Sequence, residues 1–270
     1  MLSTKLHNIH PCLASLAFGF ALALGSTAMD LHAAPARFSY SEYATLLDSY
    51  VIDTGGSTRV KYAELKKNSA RLLAFNSKLS AVSQKTFDSW SKADQLAFLI
   101  NSYNSFTLQL IVDNYPVKSI RKIGGFFGNP WKIKFFNFLG EKTNLDHLEQ
   151  DLLRKNYQEA RIHFAINCAS GGCPPLGRTP YYGEHLNEQL EAAARRFVST
   201  SKFNRYDDVQ NRLYLSSIFK WYGTDFGDEV SMKEFIARHL FESATDPEIE
   251  KIKSATIEYL DYDWSLNDAE

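Results

Sequence analysis

The chain has 270 residues, 44% of them apolar and 23% charged, with 14 Gly and 8 Pro, a composition that excludes collagen-like, low-complexity and wholly disordered chains and permits one sizeable core. Thirty Lys and Arg stand against 31 Asp and Glu, a formal net charge of -1, so no global basic field gathers phosphates and nucleic acid is not an expected partner. Three cysteines are too few for a disulfide scaffold, and none shows the paired C-x2-C spacing of a structural zinc site.

Lys5 precedes the apolar run Cys12 to Leu24, which leads to Gly25, Ser26 and the small residues Ala33, Ala34 and Ala36. This is the pattern of a secretory signal peptide over residues 1–33, with cleavage near Ala33. At 1.5 Å per residue the run covers about 20 Å, short of the roughly 30 Å hydrocarbon core, so no stable membrane insertion is expected after cleavage. Cys12 lies before the run and not after it, which argues against a lipid-carrying cysteine. A periplasmic or secreted protein retaining Cys168 and Cys173 is the expectation.

Tyr43, Leu46, Leu47 and Val51 repeat at helical spacing, with Ser41 placed to cap, and Thr54-Gly55-Gly56-Ser57 breaks the chain. Val60 to Leu79 reads as one amphipathic helix. Ser91 to Tyr115 is the clearest element: Ser91 caps it, Pro116 stops it, and apolar residues cover much of its circumference, so it is expected to be buried. Asn101 and Asn104 stand one turn apart on its side, and buried amides need partners; clamping a neighbouring loop backbone is the favoured role over direct chemistry. Lys132 and Lys134 alternate with Ile133 and Phe135 in an aromatic stretch that includes Phe126 and Phe127, suggesting a strand, with a hairpin turn at Leu139-Gly140-Glu141. Asn144 to Arg154 reads as a short helix, Arg161 to Asn167 as a short apolar strand, and Glu184 to Ser199 as a helix. Arg212 to Leu215 and Thr256 to Tyr259 read as strands, and Met232 to Phe241 and Pro247 to Lys253 as helices. The mixture lacks regular βαβ alternation, so the expected architecture is a single α+β domain with helices packed around a small, mostly antiparallel sheet.

Reactive side chains concentrate in Arg161 to Leu176, RIHFAINCASGGCPPL. As a strand, this segment turns His163 and Asn167 to one face and Cys168 to the other. Cys173 follows Gly171-Gly172 and precedes Pro174, which suits the start of a helical turn, where free N–H groups lower a thiol pKa. Three chemistries compete. One is a Cys168–Cys173 disulfide in an oxidising compartment. A second is a nucleophilic Cys173 with His163 as base, an orienting group from Asn101, Asn104 or Glu149, and Gly-rich backbone N–H groups as an oxyanion site. The third, a metal held by His163, Cys168, Cys173 and His147 or His185, fits no common zinc spacing, so neither metal nor cofactor is expected.

The segments AFLINSYNSFTLQLIVDNYP, NLDHLEQDLLR, RIHFAINCASGGCPPL, LSSIFKWYGTDFG and YLDYDWSLN together resemble the family catalogued as domain of unknown function 547. The resemblance implies one domain over about residues 40–270. It also implies that Asn101, Asn104, Glu149, Arg154, His163, Cys168, Cys173, Trp221 and Asp225 occupy motif positions; it implies no reaction. Trp221, Tyr222 and Phe226 around Asp225 are read as packing, with the wall of a ligand groove as the alternative. Asp261, Asp263 and Glu258 beside Trp264 are read as a solvated acidic tail, with a cation-binding group as the alternative. The expected function is a thiol-dependent (Cys-His) hydrolase or transferase acting on an amide or peptide-like substrate, with a small-molecule or peptide-like ligand as partner. The alternative is a noncatalytic binding or scaffold domain held by the disulfide.

Overall fold

The computed structural model describes residues 37–125 and 128–269, all within the unit Pro35–Glu270. The expected signal peptide, with Phe126 and Phe127, lies outside the described residues. Helix α1 (Ser41–Tyr50) leads into the antiparallel hairpin β1 (Val51–Asp53) and β2 (Thr58–Val60). Ser41 lies inside α1, and the capping position is Tyr40 with no side-chain cap, contrary to the expected role of Ser41. The helix expected over Val60 to Leu79 is two helices, α2 (Tyr62–Lys67) and α3 (Ala70–Ser80). They are parted at Asn68, whose side chain bonds back to the Glu64 carbonyl at 3.0 Å, a local competitor of the helical ladder.

A short helix α4 (Gln84–Asp88) precedes α5 (Lys92–Asn114), around which the first core is built. The Ser91 hydroxyl accepts from the Asp94 N–H at 3.1 Å, giving the cap its sequence announces. Tyr115, ahead of Pro116, is forced into extended backbone at ψ 139° and ends the helix. Every residue from Gln95 to Val112 except Gln109 is buried, so α2, α3 and the segments that follow pack on α5, and not on a central sheet.

The strand expected at Lys132 and Ile133 is instead a 3-10 turn, Pro130–Lys132, capped by Asn129. Strands β3 (Phe136–Phe138) and β4 (Glu141–Thr143) then pair as the expected hairpin. Its turn residues, Leu139 and Gly140, have φ of 50° and 94°, as a tight hairpin requires. Residues His147–Arg154 form a π-helix and Ile162–Ala165 form α6, one helical turn where a strand was expected. Helix α7 (Leu186–Ser199), strands β5 (Arg205–Asp207) and β6 (Arg212–Leu215), helices α8 (Ser217–Tyr222), α9 (Glu229–Leu240) and α10 (Asp246–Ser254), and strand β7 (Thr256–Tyr259) complete the fold. β6 pairs antiparallel with β5 and parallel with β7, and the three small sheets are separate. The class is α+β as expected, but the single sheet is replaced by these pieces.

Two apolar clusters result, one around α5 and one under α7, α8, α9 and the three-stranded sheet. The short helix α6 is the seam between them: Ile162 and Ala165 enter the first cluster and Phe164 the second. Among the described residues no helix is long and apolar enough to cross a membrane.

Candidate functional site

A π-helix closes its hydrogen bonds over five residues and has a wider turn than an α-helix. In the His147–Arg154 segment this brings Glu149, Gln150 and Arg154 into one bonded row: Arg154 Nη1 donates to Gln150 Oε1 at 2.5 Å, and Gln150 Nε2 donates to Glu149 Oε1 at 3.1 Å. The buried Glu149 also accepts from Tyr103 Oη at 3.0 Å and Tyr222 Oη at 2.6 Å. Burial, followed by the facing Glu149 carboxyl, pushes the Tyr222 phenol far above its usual range, which keeps it a donor.

Arg154 reaches out of the row to Asp225, in the 3-10 turn Gly223–Phe226 that follows α8. Its Nε and Nη2 donate to the two carboxyl oxygens at 2.7 and 2.6 Å, a bidentate pair. His163 Nε2 lies 2.7 Å from Asp225 Oδ2. That bond, and next the Arg154 pair, hold the Asp225 carboxyl well below the usual carboxylate range. The His163 ring stacks on Tyr222 at 4.0 Å and 20°, and only 2% of the residue is exposed. Its Nδ1 is buried without a hydrogen-bond partner among the described residues. An imidazole that donates Nε2–H to a carboxylate carries a bare Nδ1, the tautomer of a general base.

The cysteine loop is held from both sides. Asn104 receives the Asn167 N–H at 2.8 Å and donates to the Ala165 carbonyl at 2.9 Å, while Asn167 caps the Ala169 N–H at 2.9 Å. The C-terminal tail lies across the loop: Gly171 N–H donates to the Ser265 carbonyl at 2.8 Å and Gly172 N–H to the Asp263 carbonyl at 2.9 Å. The two glycines serve this close approach. A Cβ on Gly171 would fall 2.3 Å from Asp263 Oδ2, and one on Gly172 would fall 3.1 Å from the Tyr262 ring.

Cys168 and Cys173 are free thiols. Cys173 is buried, its sulfur 2.8 Å from the Cys168 N–H, and burial followed by the Cys168 sulfur pushes its pKa well above the usual thiol range. Cys168 is half-buried, with Ser170 Oγ and Tyr262 Oη each 3.1 Å from its sulfur. The Cys173 thiol hydrogen bond lowers the Cys168 pKa most; the two hydroxyls act the same way, and together they outweigh burial. A proton kept on Cys173 thus supports a thiolate on Cys168.

Both sulfurs, His163, Glu149 and Tyr222 line one pocket of about 230 Å³, walled by Trp131, Trp221, Tyr262 and Trp264. Of the residues expected from sequence, the structure brings together Cys173, His163 and Glu149. Asn101 and Asn104 do not line it. Asn101 clamps both backbone groups of Tyr181, at 2.8 and 2.9 Å, so the two amides hold backbone and do not orient the imidazole. No hydrogen bond joins His163 to either sulfur among the described residues, and the orienting partner of His163 is Asp225. Pro174 opens no helix, and the Gly171, Gly172 and Cys173 N–H groups are spent on Ser265, Asp263 and Ser170, so the expected backbone oxyanion site is absent there. Among the described residues no group of three or more His, Cys, Asp or Glu side chains could hold a metal; His147 pairs with Asp151 and His185 sits beside Glu184 and Glu188.

Trp221 and Tyr222 are walls of the pocket and not merely packing, and the tail read as solvated supplies Tyr262 and Trp264 to it. Asp225 and Arg154 were visible as motif positions without a role, and Tyr262 and Trp264 carried no signal beyond the terminal motif.

Residues 87–198 match the family model described as Protein of unknown function, DUF547, so the resemblance read from the sequence is shown over this part of the chain. Comparison with curated proteins finds no match. Comparison with solved structures finds none either.

Proposed function

We propose that the chain, with the DUF547 match as its central part, is an exported thiol-dependent acyl hydrolase or transferase for amide or peptide-like substrates, with Cys168 as nucleophile in place of Cys173. The observation that carries this reading is His163: its Nε2 is committed to Asp225, its buried Nδ1 is unpartnered, and it lines the same pocket as two free thiols of opposite pKa tendency. Export rests on the leader pattern of residues 1–33.

In the first step the Cys168 thiol gives its proton to the bare His163 Nδ1 as its sulfur attacks the acyl carbon, forming a C–S bond and turning the carbonyl oxygen into an oxyanion. The C–N bond then breaks, and the leaving nitrogen takes a proton from His163 Nδ1–H. In the second step His163 accepts a proton from water, or from an acceptor hydroxyl or amine, as that nucleophile attacks the thioester and expels the Cys168 thiolate. Asp225, fixed by Arg154, stabilises the imidazolium that forms within each step, and the Cys168 thiolate expelled in the second step takes its proton back from that imidazolium. The Tyr262 hydroxyl, which accepts from Ser170 Oγ at 3.0 Å and lies 3.1 Å from the Cys168 sulfur, is the donor this reading assigns to the oxyanion.

Incubation with p-nitrophenyl acetate, an activated acyl donor, tests the reading. A stoichiometric burst of nitrophenolate with an acetyl group mapped to Cys168 is expected. The burst disappears in Cys168→Ser, and release of the acetyl group slows in His163→Ala. No burst, or acetylation of surface lysines alone, contradicts the proposal.

A further inference from the structure

The pocket combines aromatic walls with carboxyl groups, and among the described residues no Lys or Arg lines it. Trp264 is central: Trp221 stacks on it at 5.7 Å and 29°, and the rings of Tyr262 and Trp131 lie 4.5 and 6.1 Å from it. The four rings come from three distant segments: the 3-10 turn at Pro130–Lys132, α8 and the C-terminal tail. Trp221 is 44% exposed, an unusual share for so large a ring.

Two carboxyl groups, Asp146 and Glu149, line the same cavity, and no Lys or Arg does. Glu149 is engaged by Tyr103, Tyr222 and Gln150. Asp146 makes no hydrogen bond or ion pair among the described residues. The nearby guanidinium groups are already committed. Arg154 pairs with Asp225, and Arg121 stacks 4.9 Å from the Trp264 ring, so an aromatic wall of this pocket already receives a cation from outside.

An aromatic face attracts a cation through its quadrupole, and a box of such faces with a carboxylate at its edge is suited to alkylammonium groups. The cavity, about 230 Å³, is smaller than the roughly 300–1,000 Å³ of sites for drug-sized ligands, which fits a small head group. We infer that the pocket binds an alkylammonium group, seated against the wall that Trp221, Trp264 and Trp131 form and paired with Asp146, and that this cation is the specificity handle of the substrate. The inference rests on the proposed thiol chemistry only in calling the ligand a substrate; binding of the cation does not need the reaction.

Titration of the full chain with choline, with n-butylammonium and with 3,3-dimethylbutan-1-ol, the neutral counterpart of choline, followed by tryptophan fluorescence, tests it. Three of the four tryptophans line the pocket. Both cations should give saturable changes, with the neutral alcohol binding at least about tenfold more weakly. Asp146→Asn should weaken the cations about threefold or more and leave the alcohol unchanged, while circular dichroism shows the fold intact. Equal affinity for alcohol and cations, or no saturable change with either cation, overturns the inference. Cation binding without the acetyl burst leaves a cation-binding pocket and removes the enzyme; the burst without cation binding leaves the enzyme and removes this specificity.

Discussion

The imidazole of His163 and the carboxylate of Asp225 meet at 2.7 Å across 62 residues of sequence, joining the one-turn helix at the seam of two apolar clusters to the turn after α8. Arg154, from the π-helix, closes the group through both Asp225 oxygens. Three elements therefore converge on one carboxylate, which holds the imidazole that lines the pocket.

Asp225→Asn should destabilise the chain by about 2–4 kcal/mol at neutral pH, since it weakens charge-assisted bonds and leaves Arg154 without its counter-charge. The Asp225 pKa is depressed in the folded state. Its stabilisation is therefore complete above the unfolded carboxylate value of about 3.9 and is lost as pH falls through the lower folded value. Urea denaturation should show a clear gap between the two proteins at pH 7 and a shrinking one below about pH 4. A gap that stays constant to low pH would contradict this.

Asn101→Ala should cost about 1–3 kcal/mol, because it strands the Tyr181 N–H and carbonyl that the amide serves. Asn101 touches no pocket residue in this role, so the alkylation rate of Cys168 in the folded variant should be unchanged. A large loss of thiol reactivity without loss of stability would return Asn101 to the chemistry.

Gly171→Ala places a methyl group against the Asp263 carboxylate and should lower stability by about 1–3 kcal/mol while loosening the tail. Limited proteolysis should then cut the C-terminal segment earlier than in the unmodified chain. Undisturbed thermal melting would show that the tail yields freely.

Tyr262→Phe removes a hydroxyl from the Cys168 sulfur and should raise the Cys168 pKa. The midpoint of its alkylation rate should move to higher pH, and Cys173, which the same hydroxyl also favours as a thiolate, should become no more reactive. An unmoved midpoint would assign the depression to Cys173 and Ser170 alone.

Much of this framework was readable before the coordinates. Ser91 and Pro116 bound α5 because capping and the lack of a proline N–H are local effects, and Asn101 and Asn104 lie on a buried helix where amides must find partners. The hairpin at Leu139-Gly140 was legible for the same reason. Arg161 to Asn167 was not: a short apolar run fits a strand or a single helical turn equally, and packing against two clusters at once decided for the turn. The Val60 to Leu79 pattern concealed the break at Asn68 because helical periodicity survived on both sides. The site itself depends on contacts without a local signature. Asp225 reaches His163 from 62 residues away, and Tyr262 reaches Cys168 from 94 residues away. The order of the two thiol pKa values follows first from the hydrogen bond between the two thiols and the burial of Cys173, then from hydroxyl placement, none of which the loop sequence encodes.

The central claim is that one of two neighbouring thiols is poised and the other is silent. Site-resolved iodoacetamide labelling against pH, read by mass spectrometry on unreduced protein, measures this directly. The account predicts labelling of Cys168 with a midpoint below the ordinary thiol value of about 8.5 and slow labelling of Cys173 at every pH that preserves the fold. Equal rates at the two sulfurs, or an intact mass showing both joined in a bridge and closed to the reagent, would contradict it.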